Sequence, residues 1–534
     1  MDFSRRLLTF GNYGISLWSL VLGAILLLAA LLRLKGIHNP LLDHPGWRQG
    51  DTAAIARNFA TLRYNPFYPQ VDYNGPPPNY VELELQIVPF LAATLYKIFG
   101  VHEIFGRLLT LAFSLGTVAL LAYFGRWLFT SAAAGLTAAV LYSVYPGSIY
   151  YGRTFTPDAT MVFFLTAALY ACARYLTDCD EMPWKGAPRC SLLLTLAFLA
   201  KPVALAALLP LAVMLAVRYY SGRTMRWPQT AVLTVLPLIV LVGYDRFEFG
   251  VAEWHWASGI TRLHVLPSLR ESMTNFHAFG LKWNYFINAV RMLSQTMLGP
   301  VGFALFILSL IFPGESRSRP LLWGWVVAAV LYAYVVVTVE RVDYYLYLFL
   351  PLAALTGAGL FARLSRATDV WKFPATLRYA TATLAAIFIF LALRQNGLEI
   401  TKYYSYDRSV YRSAVALNAT LQPDALIVMG HYDPSVLYYI NRKGWEEDPY
   451  LWTPFNQQSA IRKGAKYFIA IENNRFKKNV ELYAWMQRFP VINSHAKWPV
   501  YQTQNSMMLP GAEARWRAFR RAEKAGKLNS QGGT

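Results

Sequence analysis

The chain has 534 residues, 50 Lys plus Arg against 30 Asp plus Glu, a net charge of +20 and 55% hydrophobic residues. Only 15% of its residues are charged, against about 25% in soluble domains, which excludes a soluble globular protein and puts most of the chain in lipid. The charge of +20 would suit a nucleic-acid binder, but in a membrane protein it reports Lys and Arg gathered in cytoplasmic loops, and no nucleic-acid partner is expected.

The first apolar run, 15–34, has no small-residue cleavage site after it and is long enough to span, so it reads as a signal anchor. With about 20 apolar residues needed per crossing, the predicted spans in chain order are 14–34, 105–127, 131–150, 157–175, 190–200, 203–219, 229–245, 293–313, 320–338, 343–363 and 375–393. The segment 85–100 carries Pro89 and Lys97 and follows the turn-rich "YNGPPPNY", so it is expected to lie along the surface. Cys172, Cys179 and Cys190 are too few for a disulfide framework and read as free thiols.

Positive-inside counting fixes the topology. With the amino terminus inside, the cytoplasmic loops collect Arg5, Arg6, Arg126, Lys185, Arg189, Arg218, Arg223, Arg226, Arg317, Arg319, Arg363, Arg366 and Lys372. Parity holds if Lys201-Pro202 is a hairpin tip between two short spans. A lysine in mid-span would cost about 2.5–3.5 kcal/mol unless it faced a cavity or a partner. The expected fold is a polytopic α-helical membrane domain over 1–393, with about 11–13 crossings and an outer loop at 35–104 carrying juxtamembrane helices. After Leu393, β-rich runs such as "ALIVMG" and "KYFIAIE" alternate with helical patterns, which predicts an extracytoplasmic α/β domain over 394–534. Its last segment, "AEARWRAFRRAEKAGKL", is a basic amphipathic helix expected to face solvent or headgroups.

In this topology the ionisable residues beside apolar segments fall on one side: Asp43, Arg48 and Asp51 in the first outer loop, Glu82 and Glu84 before the surface helix, Arg153 and Asp158 in "YGRTFTPDATMVFF", Lys201 at its hairpin tip, and Arg341 and Asp343 at the start of a late span. A flippase or exporter would need polar residues near the midplane, reachable from both faces. A receptor or assembly scaffold would not need acids beside its spans. Carboxylates can act as general base or hold a cation, and Arg and Lys neutralise phosphate. A one-sided cavity containing both fits sugar transfer from a polyprenyl-phosphate donor. No nucleotide loop is present. Among the aromatic residues, Trp47, Tyr344 and Tyr345 are candidates to line a sugar or prenyl site. No cofactor is required by this reading. A divalent cation, held by Asp43 and Asp158 with His44 near, is a secondary expectation without specific spacing.

The order of "IARNF", "LYKIFG", "FGRLLTLAFSLGTVALLAYFGRWLF", "YGRTFTPDATMVFFLTAALYA", "LAFLAKPVAL" and "VDYYLYLFLPLAAL" resembles the GT-C glycosyltransferases, and within them the bacterial aminoarabinose transferases and protein O-mannosyltransferases. The resemblance covers about residues 14–393 and implies a polyprenyl-phosphate sugar donor (in a bacterium, undecaprenyl), inversion at the anomeric carbon, and an active site on the outer face of the cytoplasmic membrane. It implies a first-loop acid as base, Asp158 as second active-site acid, Lys201 near the lipid phosphate and Tyr345 close to it. Two departures stand out. Aligned on "IARNF", Arg48-Gln49 replaces the family's adjacent acids, which leaves Asp43 as the preferred base and Asp51 as its rival. Glu84 stands where the aminoarabinose transferases have a lysine, which argues against the same aminosugar and lipid A specificity. The expected donor-phosphate ligands are Arg48, Arg153, Lys201 and Arg341, with Glu84, Tyr344 and Tyr345 contacting substrate. The acceptor, whether lipid, protein or polysaccharide, is left open.

Overall fold

The computed structural model describes residues 6–10, 13–255, 260–274, 276–337, 340–370, 383, 387, 390–391, 394 and 400–524. A short antiparallel pair, β1 (Arg6–Phe10) and β2 (Tyr13–Ser16), leads into α1 (Leu17–Arg33). The loop that follows carries α2 (Gly46–Thr61) and α3 (Ile87–Phe99). Next come α4 (Glu103–Phe129), α5 (Ala132–Val144), α6 (Pro146–Tyr151), α7 (Asp158–Asp178), α8 (Gly186–Ala200), α9 (Leu208–Tyr220) and α10 (Trp227–Val251). The second half of the bundle has α11 (Leu266–Thr274), α12 (Phe276–Met292), α13 (Gly299–Ile311), α14 (Arg319–Tyr332) and α15 (Phe349–Val370).

Among the described residues, six helical stretches are long and apolar enough to cross a bilayer: 103–129, 158–178, 202–220, 227–251, 319–337 and 343–366. The chain is a multi-pass membrane protein. Two expected spans are broken. The run 131–150 stops at Val144 because Pro146 lacks an N–H and disfavours helical geometry at Tyr145, so α6 restarts at a new angle. The run 293–313 is bent by 115° between Met297 and Gly299. Gly299 takes φ +72° there, a left-handed conformation that suits glycine, and Pro300 opens the next helix. Apart from residues 383, 387 and 390–391, the expected span 375–393 lies outside the described residues.

The Lys201-Pro202 break is a hairpin tip. Lys201 meets Asp158 at the start of α7 (2.6 Å), whereas Arg218 donates to the Leu176 and Cys179 carbonyls at its end (2.7 and 2.9 Å). The stretches 186–200 and 202–220 therefore each run the length of α7. The face holding Arg218 also gathers Arg317 on Asp178 (3.6 Å) and Arg366 on the Phe129 carbonyl (2.8 Å). Lys201, Asp158 and the carboxyl-terminal domain lie at the opposite end. Cys172, Cys179 and Cys190 are free thiols.

The carboxyl-terminal domain has a five-stranded sheet in the order β4-β3-β5-β7-β6, built from β3 (Leu426–Met429), β4 (Gly444–Glu446), β5 (Ala465–Ile469), β6 (Val491–Ile492) and β7 (Val500–Gln502). Strands β4, β3 and β5 are parallel, and β7 and β6 continue antiparallel. Around them lie α16 (Arg408–Thr420), α17 (Pro434–Ile440), α18 (Pro454–Arg462), α19 (Asn473–Lys478), α20 (Val480–Met486) and α21 (Ala512–Lys524). The basic helix α21 is docked, not free: Glu513 pairs with Arg488 (2.5 Å) and Arg520 with Glu481 (2.9 Å), and Trp516 packs on the domain core.

This domain shares one core with the loop at 35–104. Leu41, Ile55, Phe59 and Val71 are buried with Leu417, Ile427, Leu437, Ile440 and Trp498. Helix α2 reaches α17 through Gly46 and Gly50, one turn apart on one face; a Cβ on Gly50 would lie 2.5 Å from the Ser435 Cα. Beside this contact, buried Asp72 accepts from Asn58 (3.0 Å), Arg57 and Lys443, so β4 is tied to the loop by charge as well as by packing.

Candidate functional site

Two polar assemblies occupy the end of the bundle beneath the carboxyl-terminal domain. The first is a closed cluster around Asp43. Its carboxylate is fully buried and accepts from Arg107 on one oxygen and Arg153 on the other (2.8 Å each), with Gln49 Nε2 adding a third bond at 2.7 Å. Both guanidiniums are also fully buried. Arg107 also donates to the backbone carbonyls of Gly36 and Asn39 (2.9 and 2.7 Å) and Arg153 to Gly36 (3.0 Å), while the Nε of each has no partner among the described residues. A carboxylate held this way has neither an open approach for a substrate nor a spare lone pair aimed at one. Asp43 and Arg153, expected as base and phosphate ligand, are thus engaged with each other: together with Arg107 they lock the first loop onto α4 and the 151–157 turn. Arg107 was missed as a site neighbour, although an arginine one turn inside an apolar span signals a buried partner.

A related cluster fixes Asp343, which accepts from Tyr151 (2.7 Å), from His44 Nε2 (3.2 Å) and from Tyr403. It clips the start of the last described span to the first loop.

The second assembly is an open cavity of about 780 Å³, lined by Pro45, Trp47, Arg48, Leu83, Glu84 and Lys201 on its inner side. The 340–345 turn adds Glu340, Val342, Tyr344 and Tyr345, the segment after α10 adds Glu253, Trp254 and His255, and Tyr432 closes it from the carboxyl-terminal domain. Six expected residues thus converge: Trp47, Arg48, Glu84, Lys201, Tyr344 and Tyr345. Arg48 pairs with Glu84. Lys201 Nζ donates to Asp158 Oδ1 at 2.6 Å while sitting 4.9 and 4.4 Å over the stacked rings of Tyr344 and Tyr345. Arginine has five N–H donors and lysine three, so each has donors beyond the one its carboxylate takes. Arg341 is not among the lining residues: its guanidinium stacks 3.8 Å over Tyr285, and its backbone takes a left-handed φ of +53°. A phosphate role for it is not supported.

Asp158 is buried behind Lys201, and its Oδ2 has no hydrogen-bond partner among the described residues. Asp51 is buried behind Trp47 and Arg48. Its Oδ2 accepts from Trp47 Nε1 (2.9 Å) and Tyr73 (3.4 Å), and its Oδ1 has no partner among the described residues. Burial pushes the Asp51 carboxyl up to about 7, against the opposing pull of Arg48 and the Trp47 bond. Of the two rival acids, Asp51 is the one with an unengaged oxygen, a buried one behind the cavity-lining Trp47 and Arg48, and its carboxyl is pushed up to about 7.

The two carboxylates expected to hold a cation have cationic side chains as partners instead. Both Asp43 oxygens face guanidiniums and Asp158 faces an ammonium, and among the described residues no three His, Cys, Asp or Glu side chains group as metal ligands. A hollow of about 790 Å³ on the opposite face, between Trp184, Arg226 and Trp227, gathers no comparable set of acids and bases.

Residues 86–244 match the family described as dolichyl-phosphate-mannose-protein mannosyltransferase. That segment holds Asp158 and Lys201, while Arg48, Asp51, Glu84, Tyr344 and Tyr345 lie outside it. No curated protein matches the chain. Among solved structures, the fold is similar to ArnT from Cupriavidus metallidurans bound to undecaprenyl phosphate, with a TM-score of 0.58 and 13% identity over 92% of this chain and 99% of that one. The apo state of that enzyme gives a TM-score of 0.55 at 13% identity, with the same coverage of both chains. The archaeal oligosaccharyltransferase AglB from Archaeoglobus fulgidus, in complex with an inhibitory peptide and a dolichol-phosphate, gives 0.52 at 12% identity over 92% of this chain and 75% of that one. The chain has the GT-C membrane fold with a carboxyl-terminal domain, and its mannosyltransferase-type segment agrees with the sequence resemblance.

Proposed function

We propose that this protein is an integral-membrane glycosyltransferase that moves a sugar from a polyprenyl-phosphate donor to an acceptor on the extracytoplasmic face. The observation that carries this reading is the convergence of Arg48, Lys201, Glu84, Tyr344 and Tyr345 in one open cavity at one end of an apolar bundle. Similar folds that hold undecaprenyl phosphate and dolichol-phosphate support a lipid-phosphate donor. The sidedness of Lys and Arg supports the outer face, and in a bacterium the location is the cytoplasmic membrane.

In this reading the donor phosphate lies against Arg48 and Lys201, with Tyr344 and Tyr345 beneath it. Asp158 positions the Lys201 ammonium. Asp51 takes the proton from an acceptor hydroxyl as its oxygen attacks the anomeric carbon from the side opposite the phosphate. The bond from that carbon to the phosphate oxygen breaks, and polyprenyl phosphate leaves with the electron pair. Its added negative charge is met by cations already in place, a preorganised stabilisation that costs no rearrangement during reaction. In-line displacement inverts the anomeric centre.

The test uses the protein in lipid nanodiscs with undecaprenyl phosphate. Arg48→Gln and Lys201→Met are expected to weaken binding at least tenfold each, as the loss of a charge-assisted contact worth about 1.5–3 kcal/mol implies. Arg153→Gln would not serve, because that side chain belongs to the closed cluster. Wild-type binding by both variants would overturn the phosphate assignment.

A further inference from the structure

The parallel strands β4, β3 and β5 end on the side of the carboxyl-terminal domain that faces the cavity. The chain leaves β3 toward β4 on one flank and leaves β5 toward β6 and β7 on the other. The gap between the carboxyl ends of β3 and β5 is therefore a topological switch point, the place where open α/β sheets characteristically bind ligands. The Glu472 N–H donates to the Gly430 carbonyl (3.1 Å), the Gly430 N–H to Ile469 (2.9 Å) and the Glu447 N–H to Met429 (3.2 Å), so the three loops are held together.

Their side chains form one line. His431 Nδ1 lies 2.7 Å from Glu472 Oε1 across the switch point. Glu472 Oε2 lies 3.3 Å from Arg475 Nε, and Arg475 grips Asp448. None of these four is fully buried: side-chain exposure runs from 19% at Asp448 to 50% at Arg475. Pairs this exposed stabilise a fold by about 0–1 kcal/mol, so stability does not explain them. Exposed aromatic rings flank the line at Tyr432 and Tyr450. Tyr432 packs edge-on against Trp47, with ring centroids 4.4 Å apart, and also lines the cavity.

We propose that His431, Tyr432, Asp448, Tyr450, Glu472 and Arg475 form a saccharide-binding subsite that holds a glycan acceptor. A sugar ring presents apolar C–H faces, which lie on aromatic rings, and a rim of hydroxyls that each donate and accept. Imidazole, carboxylate and guanidinium groups in one line offer matching donors and acceptors. Because Tyr432 belongs to both places, a glycan seated here has its next unit at the cavity mouth, near Asp51. The acceptor role rests on the transfer reading above; the binding site does not.

The test presents cellotetraose, chitotetraose and tetragalacturonate to the full-length protein in nanodiscs and follows saturation-transfer NMR and affinity. At least one is expected to bind saturably, with Glu472→Ala and His431→Ala each weakening it tenfold or more while undecaprenyl phosphate binding stays unchanged. Binding by neither the neutral, the aminosugar nor the acidic chain would overturn the proposal. So would variants that bind as the wild type does, or binding of an unglycosylated polypeptide such as β-casein at these residues in place of any saccharide. Asp51→Asn separates the two ideas: it is expected to keep saccharide affinity. Saccharide bound at this site by a protein that transfers no sugar would leave the subsite standing and sink the transfer reading.

Discussion

At the scale of single residues, the division between Asp43 and Asp51 decides the chemistry. Both are buried acids of the same loop, but one is saturated by two guanidiniums and the other keeps an unengaged oxygen, buried behind the cavity-lining Trp47 and Arg48. Removing one partner from a buried ion pair costs about 3–5 kcal/mol, because the remaining charge is stranded. Asp43→Asn should therefore lower the thermal unfolding temperature and the yield of folded protein sharply. Asp51→Asn should leave both close to wild type, since an amide oxygen still accepts from Trp47. A melting experiment in detergent checks this, and equal stability of the two variants would contradict the assignment. The acids beside the spans were legible in the sequence; their partners were not. Nothing local to "LLDHPGW" says that Arg107 and Arg153 will converge on its aspartate, a pairing made only when α4 and the 151–157 turn pack together.

At the scale of elements, hydropathy located the spans well where apolar runs were uninterrupted, and failed where backbone chemistry overrode them. Pro146 and the Gly299-Pro300 pair break runs that composition alone reads as continuous. The hairpin tip at Lys201 was readable because a lysine before a proline is costly in lipid and useful at a cavity. The Gly46–Gly50 contact was not readable, since its reason lies in α17, 385 residues further along from Gly50 to Ser435. Gly50→Val would drive its side chain into the Ser435 backbone, where a Cβ already lies 2.5 Å from the Cα. Overpacking of this kind costs about 1–3 kcal/mol. The variant should loosen the carboxyl-terminal domain from α2, read as faster proteolysis after residue 400 with the membrane helices intact; wild-type proteolysis would contradict the contact.

At the scale of the whole molecule, a boundary near residue 394 divides the chain by composition, whereas the packing divides it differently. The loop at 35–104 shares its core with the carboxyl-terminal domain and its polar clusters with the bundle, so it joins the two. Asp72 is the charged part of that joint. Burial alone would raise its carboxyl, but Arg57 and Lys443 outweigh this and bring it down to about 2. A depressed acid contributes stability that is complete above its unfolded value, about 4, and is lost as pH falls through 2. Acid should thus separate the domain from the loop between pH 4 and 2. Asp72→Asn should show a weaker joint at neutral pH and a flatter acid response, measured by proteolysis across that range.

The central claim is that Asp51, not Asp43, accepts the acceptor's proton at a lipid-phosphate site. The most direct measurement is the pH dependence of sugar transfer from an undecaprenyl-phosphate sugar to acceptor in nanodiscs, with wild type and Asp51→Asn compared at saturating donor. A base must be ionised to act, and the Asp51 carboxyl titrates near 7, so the wild-type rate should rise with pH and level off above that value. Asp51→Asn should lose about 10²–10⁴-fold and the rise along with it, while still binding undecaprenyl phosphate. Transfer by Asp51→Asn at the wild-type rate, with the same pH profile, would contradict the account.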